Sequence, residues 1–227
     1  MCANYTPVTD HERLGLFFAV ARDGPLEAEA WPGHAAPFVR RTRIAHDGPR
    51  HEREAAVGLF GMVPHWAKDL TIGRKTYNAR SETVAEKPSF RDAWRQGRRC
   101  IVPAENFYEP SWETGRAVRW RIRRKDNAPM GIAGLWGAWR GPDGRELLSF
   151  TMLTINADGH QVMQHFHKPD DEKRMVVILD EADYDAWLDA PTARMRDFLV
   201  RYPADALEAE PAPKAPRTAK PPSGVVS

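Results

Sequence analysis

The chain has 227 residues, which fits one medium-sized domain with room for a tail. Its 42% hydrophobic and 28% charged residues exclude wholesale disorder, and a formal net charge of +2 does not by itself indicate a nucleic-acid-binding protein. Two cysteines exclude a disulfide framework, and with no signal peptide or apolar run of membrane-spanning length we expect a cytoplasmic protein without membrane contact.

Apolar runs of strand length predict a chain made mostly of β-strands. These runs lie at residues 36–45, 56–63, 100–109, 118–124, 131–139, 147–155 and 175–179. Residues 88–96 and 181–188 are predicted to be short helices, the second with Asp180 as its N-cap, and helical character resumes at 192–200. Many strands with a few helices between them predict an α+β fold: a curled, partly barrel-like, mainly antiparallel sheet flanked by a few helices.

The composition changes near residue 203, where proline, alanine, lysine and glutamate begin to dominate. Such a segment has too few apolar groups to offset the entropy lost on ordering. We therefore predict a folded domain over residues 1–202 and a disordered tail over residues 203–227.

A cysteine at position 2 stands out because the chain has only one other, Cys100. One interpretation is a small apolar residue packed under the fold, as free cysteines commonly are. The other concerns the terminus: methionine is removed from chains whose second residue is small, and Cys2 would then carry a free α-amine beside its thiol. No other position in a chain offers these two nucleophiles on adjacent carbons.

The segment TYNARSET, residues 76–83, places Asn78 and Arg80 shortly after Trp66. An exposed tryptophan among arginines suits single-stranded nucleic acid, because bases stack on the ring and guanidinium groups hold phosphates. The alternative is a surface loop beside a tryptophan of the core. Clustered arginines elsewhere allow a basic face on this nearly neutral protein.

The segment NFYEP, residues 106–110, ends an apolar strand with Glu109 between Tyr108 and Pro110. A partly desolvated carboxylate in such surroundings suits general acid or base catalysis. A glutamate at a strand end can equally be a solvated cap, and the segment alone leaves both interpretations open.

The segment QHFHKPDDEKRM, residues 164–175, carries His165 and His167 followed by acidic residues. Imidazoles and carboxylates are ordinary metal ligands, but a third histidine and a characteristic ligand spacing are missing. We therefore predict no metal site here and favour a histidine that transfers protons.

Jointly, these features resemble the SOS-response-associated peptidase (SRAP) family, whose members are also called abasic-site processing proteins. The resemblance extends over roughly residues 2–200, and the motifs occur in the family's order. They are the cysteine at 2, PHW at 64–66, NAR at 78–80, FYE at 107–109, and a histidine followed by RMVVIL at 174–179.

The resemblance implies a covalent reaction with DNA. Family members bind single-stranded DNA and join their N-terminal cysteine to the aldehyde of a ring-opened abasic site as a thiazolidine, which shields the site in the DNA-damage (SOS) response. Methionine must leave first, and the family is proposed to remove it itself, hence the peptidase name; a lyase-like activity is also implied. No cofactor is implied, and we expect a monomer, associated with the nucleoid if the protein is bacterial.

The same resemblance assigns roles to individual residues. Those implied to be catalytic are Cys2, Asn78, Glu109 and His167. Those implied to hold the DNA strand are Trp66, Arg80 and Arg174. Asn78 would orient the terminus, Glu109 would shuttle protons, and His167, which precedes the segment leading to the RMVVIL motif, is favoured over His165 to assist at the sugar.

The chain departs from the family pattern in three places: Asn4, where many relatives have arginine, residues 31–37, and residues 168–173, which lengthen the link between His167 and Arg174. These departures predict altered DNA contacts, whereas the chemistry at Cys2 does not depend on them.

Two other functions stay open. One is a hydrolase with an N-terminal cysteine nucleophile, such as a glutamine amidotransferase, in which the free amine serves as base. The other is a non-catalytic single-strand binder in which Cys2 is inert.

Overall fold

The computed structural model describes residues 2–22, 24–42 and 52–214, and strands dominate these residues. The strands are β1 (Asn4–Pro7), β2 (Ala35–Arg41), β3 (Arg53–Phe60), β4 (Asn78–Arg80), β5 (Arg99–Ser111), β6 (Val118–Arg124), β7 (Met130–Arg140), β8 (Glu146–Asn156), β9 (Arg174–Val176), β10 (Ile178–Leu179) and β11 (Leu207–Pro211). The α-helices are α1 (His11–Phe18), α2 (Arg91–Arg95) and α3 (Tyr184–Asp189). Short 3₁₀ helices lie at Leu70–Lys75, Met163–His165, Glu181–Asp183, Thr192–Phe198 and Ala204–Ala206.

Five strands close into a barrel. They follow the order β7-β8-β3-β2-β5, and β5 returns to pair with β7. Neighbours in this ring run antiparallel except β3 and β8, which are parallel. The predicted α+β fold with a curled, partly barrel-like, mainly antiparallel sheet is confirmed.

The remaining strands extend the barrel wall. β1 and β6 flank the second half of β5, and β11 pairs with the outer edge of β6. β4 and β9 lie on the two sides of the end of β8, since Thr154 is paired with both Arg80 and Val176. These additions gather the ends of β1, β4, β5 and β9 around one region of the barrel wall.

Aromatic side chains fill much of the barrel. Phe150 stacks on Phe60 at 5.5 Å between ring centroids and packs against Phe38 at 5.4 Å. The ring of Tyr5, on β1, meets the edge of Phe60 at 5.2 Å, which ties β1 to this core. At Gly131, on β7, a Cβ atom would lie 2.4 Å from the Tyr184 ring, so the absence of a side chain there lets α3 pack closely on the barrel.

The predicted disordered tail begins too early, and the boundary at residue 202 is wrong for that reason. Leu207–Pro211 forms β11 on the edge of β6, and Leu207 is buried. The acidic residues that made this segment resemble a tail instead pair across the strands, as Glu208 does with Arg123 at 2.6 Å. Residues 215–227 of the predicted tail lie outside the described residues.

Other boundaries differ from expectation. β1 and α1 were not predicted, although Asp10 caps α1 by accepting a hydrogen bond from the backbone N–H of Arg13 at 2.8 Å. β2 ends at Arg41, and the last residues of the strand predicted over 36–45 fall outside the described part of the chain. Within the described residues, none of the helices has the length and apolar character that crossing a membrane requires.

Candidate active site

The pairing of β1 with β5 brings Cys2 against the end of the long strand. Asn4 lies opposite Tyr108, so Cys2, two residues earlier, is carried toward Glu109 and Pro110. The amide nitrogen of Asn78, at the start of β4, donates a hydrogen bond of 2.7 Å to the carbonyl oxygen of Cys2. Cys2 is only 1% exposed, and its Sγ lies 3.6 Å from the carbonyl oxygen of Asn4. The second residue of the chain is therefore anchored within the fold.

Glu109 and His167 form a buried acid–base pair beside this terminus. The His167 Nε2 lies 3.2 Å from the Glu109 Oε2, and both side chains are largely shielded from solvent. The backbone N–H of His167 donates to the carbonyl oxygen of Pro110 at 2.9 Å, which docks the histidine segment on the end of β5. His167 adopts φ +67°, in the left-handed region that non-glycine residues seldom occupy, so its ring direction depends on this docking.

Electrostatics tie Cys2 to the same pair. Burial raises the pKa of the Cys2 thiol, and the nearby Glu109 carboxylate raises it further. Burial likewise raises the pKa of Tyr77, with Glu109 and Cys2 adding to the effect. The thiol is consequently neutral at physiological pH, with a carboxylate close by that can accept its proton.

One polar atom of the Asn78 side chain has no hydrogen-bond partner among the described residues. Its Nδ2 holds the Cys2 carbonyl, while its buried Oδ1 meets no donor among the described residues. An unsatisfied buried acceptor is costly, and it lies on the side chain that already holds the terminal segment. It is suited to accept a hydrogen bond from an amine or another donor bound at this site.

The predicted DNA-binding arginines lie together but differ in exposure. Arg174 is 1% exposed, and its guanidinium nitrogens bind Glu82, Glu172 and Thr154. Arg80 is half exposed and binds Glu172 at 2.8 Å. Arg174 is thus enclosed by acceptors of the protein itself, whereas Arg80 presents part of its guanidinium to solvent.

Trp66 is anchored separately. The residue is 48% exposed, and its Nε1 donates a hydrogen bond of 3.4 Å to the carbonyl oxygen of Pro88. Among the described residues it makes no hydrogen bond to the other six predicted site residues. The exposed ring face remains available for stacking.

The two histidines of the QHFHKP segment have different surroundings. His165 is exposed and pairs with Glu113 at 3.1 Å on the surface, whereas His167 is enclosed beside Glu109. In the part of the chain that the structure describes, no group of three or more His, Cys, Asp or Glu side chains is arranged to hold a metal ion.

Sequence reasoning missed Tyr77 and Glu172. Tyr77 directly precedes Asn78 in the segment TYNARSET, but a tyrosine at that position carries no signal of an acidic neighbour from a distant strand. Glu172 lies in the segment 168–173 that departs from the family pattern, and this departure was the available signal.

Comparisons with known proteins agree on one family. The family model described as SOS response associated peptidase (SRAP) matches residues 1–215. Abasic site processing protein YoqW of Bacillus subtilis is 32% identical over 216 residues, covering 92% of this chain and 91% of the relative. Abasic site processing protein HMCES of Pongo abelii is 28% identical over 185 residues, covering 67% of this chain and 50% of the relative.

Solved structures share the fold. A crystal structure from Bordetella bronchiseptica is 43% identical, with a TM-score of 0.86, and the match covers 93% of this chain and 99% of that chain. A crystal structure from Bacteroides thetaiotaomicron is 21% identical with a TM-score of 0.76, covering 92% of this chain and 90% of that chain, and it supports the fold alone.

Proposed function

Because the chain belongs to the SOS response associated peptidase family, we propose that it processes abasic sites in single-stranded DNA through a covalent bond to Cys2. The observation that carries the proposal is the cluster of Cys2, Asn78, Glu109 and His167, drawn from four separate segments of the chain. The names of the relatives YoqW and HMCES, both abasic site processing proteins, point to the same substrate.

The reaction begins once Met1 has left, a step that we propose the protein performs itself. An α-amine has a pKa of about 7.7–8.0, so a substantial fraction is neutral at physiological pH. The amine nitrogen of Cys2 attacks the aldehyde carbon of the ring-opened sugar, and loss of water leaves an imine. The Cys2 sulfur then adds to the imine carbon, its proton passes to the nitrogen, and a five-membered thiazolidine closes.

The surrounding residues supply the proton transfers and the orientation. The Glu109 carboxylate takes the thiol proton as the sulfur adds, because the raised pKa of Cys2 keeps that thiol protonated beforehand. His167 lies within hydrogen-bonding distance of Glu109. It donates a proton to the ring oxygen of the sugar as the ring opens. Asn78 fixes the Cys2 carbonyl, and its second amide atom is suited to accept from the freed amine.

The DNA strand is proposed to follow Arg80 and Trp66. The half-exposed Arg80 guanidinium suits a backbone phosphate, and the exposed Trp66 ring suits a stacked base. Arg174, enclosed by protein acceptors, contributes chiefly by holding its acidic neighbours in place. Binding should weaken as salt rises, with a slope of about 0.7 for each phosphate contacted on a single strand.

The test is adduct formation on an oligonucleotide with one abasic site, read by denaturing gel and intact mass. We expect a heat-stable adduct with the wild-type protein and none with Cys2→Ala. Cys2→Ser should give at most a reversible imine that is trapped only by borohydride, since a hydroxyl does not form the stable sulfur ring.

The matched control is Cys100→Ala, which removes the other buried cysteine and should leave adduct formation unchanged. A normal heat-stable adduct with Cys2→Ala, or with a variant that retains Met1, would show that the thiazolidine mechanism is wrong.

A further inference from the structure

Glu172 lies between Arg80, which the proposed function places at the DNA, and the enclosed Arg174. One carboxylate oxygen accepts a hydrogen bond from Arg80 Nη1 at 2.8 Å, and the other accepts from Arg174 Nη1 at 2.5 Å. A carboxylate that presents one oxygen to each of two guanidinium groups has the binding geometry of a phosphodiester with its two anionic oxygens.

The two arginines do not depend on Glu172 equally. Arg174 keeps Glu82 at 2.9 Å and the carbonyl oxygen of Thr154 at 2.8 Å, so it remains satisfied if the carboxylate of Glu172 withdraws. For the Arg80 side chain, Glu172 is the partner that the structure gives, and half of that side chain is in solvent. The Arg80–Glu172 contact is therefore the one that an incoming anion can replace.

Glu172 also belongs to a segment that can give way. Residues 168–173 are mostly exposed, and part of their bonding is internal: Lys173 Nζ and the backbone N–H of Asp171 both donate to the carbonyl oxygen of Lys168. An exposed segment has little packing to oppose a small displacement of a side chain.

We propose that Glu172 is an internal competitor for the DNA backbone: its carboxylate occupies the phosphate position on Arg80 in the free protein and is displaced when single-stranded DNA binds. This inference rests on the proposed function and adds a regulating residue to its site. The physical consequence is that each binding event exchanges an intramolecular ion pair for an arginine–phosphate pair, which lowers the apparent affinity.

The test is the affinity for a fluorescein-labelled oligothymidylate without an abasic site. An ion pair of this partial exposure contributes less than about 1 kcal/mol, so Glu172→Gln should bind roughly two- to fivefold more tightly than wild type. The gain should be largest at low salt and shrink as salt rises, because salt weakens the competing ion pair as well. Melting temperatures establish that the variants are folded.

Two controls separate local competition from a general change in charge. Asp171→Asn alters the net charge equally in the same exposed segment, but the Asp171 side chain forms no ion pair among the described residues, so its affinity should stay near that of wild type. In an Arg80→Ala background, Glu172→Gln should no longer raise affinity, since the contested guanidinium is gone.

Equal gains from Asp171→Asn, or a gain that persists without Arg80, would overturn the inference. Adduct formation on an abasic oligonucleotide is measured in parallel. It distinguishes a failure of the competition by Glu172 from a failure of the proposed function. A wild-type protein that binds and cross-links, with an affinity that Glu172→Gln leaves unchanged, refutes the competition alone. A wild-type protein that neither binds the strand nor cross-links refutes the proposed function and this inference with it.

Discussion

At the scale of single residues, burial sets the thiol of Cys2 apart from the thiols of most reactive cysteines. Reactive cysteines commonly have a lowered pKa, whereas burial and the Glu109 carboxylate raise that of Cys2. In the proposed reaction the sulfur therefore starts as a neutral thiol, and the first attack falls to the α-amine that Met1 removal would release. In that proposal the Glu109 carboxylate takes the thiol proton only when the sulfur adds.

The first prediction at this scale compares the two histidines. His167→Ala should slow adduct formation on a natural abasic site by about 100-fold or more, the usual contribution of a general acid. His165→Ala should have little effect, because His165 lies on the surface beside Glu113. Single-turnover cross-linking rates measure both variants.

A substrate with an aldehyde that is already open provides the internal check. It bypasses ring opening, so the defect of His167→Ala should shrink on it. If His165→Ala is instead the slower variant on the natural site, the proton donor has been assigned to the wrong histidine.

At the scale of elements, short strands added to the barrel bring distant segments to the site. β1 has only four residues, yet its pairing with β5 sets the position of Cys2, and β4 has three residues and supplies Asn78 and Arg80. β11 extends the same wall through β6, which in turn lies beside the half of β5 that ends near Glu109. The short strands at the edges of the sheet therefore set the geometry of the candidate site, and the barrel supports these strands.

The prediction for this scale concerns β11. Leu207→Ala should lower the free energy of unfolding by about 2–4 kcal/mol, because Leu207 is 2% exposed and its removal leaves a cavity. Chemical denaturation measures the change. Leu16→Ala is the matched control, since Leu16 is 78% exposed and should lose no more than about 0.5 kcal/mol. Equal losses in the two variants would mean that β11 does not pack on the domain in solution.

At the scale of the whole molecule, several buried acids stay protonated in the folded chain. Burial raises the pKa values of Cys2, Cys100, Tyr5 and Tyr184 above their ordinary values of 9.0 for cysteine and 10.0 for tyrosine. Above those ordinary values the unfolded chain releases protons that the folded chain keeps. The contribution of these groups to the free energy of unfolding is therefore fully present below about pH 9. It is lost as the pH rises toward their folded-state pKa values.

The corresponding prediction uses Cys100→Ala. Above about pH 9 its free energy of unfolding should fall less steeply than that of wild type, by about 1 kcal/mol per pH unit, because one buried acid has been removed. Denaturation curves at a series of pH values between neutral and alkaline give the two slopes. Parallel slopes, whatever the difference in absolute stability, would mean that Cys100 ionises in the folded protein.

The sequence by itself determined the features that depend on local pattern. The strand runs that became β5, β6, β7 and β8 were predicted close to their observed bounds, because alternation and burial leave their mark on neighbouring residues. The motifs around Cys2, Asn78, Glu109 and His167 are visible in the sequence, and taken jointly they indicate the family, although each motif alone leaves other interpretations open.

Only the tertiary structure decided which of these residues meet. The pairing of β1 with β5 and the docking of His167 on Pro110 bring Cys2, Glu109 and His167 together from distant parts of the chain. Whether an arginine faces solvent or a carboxylate is likewise set by segments that are far apart in sequence. For this reason Arg174 is enclosed, whereas Arg80 pairs with Glu172 and stays half exposed. Side-chain period reports which face of a strand is buried, but the identity of a partner depends on register and barrel closure, and these are properties of the assembled sheet.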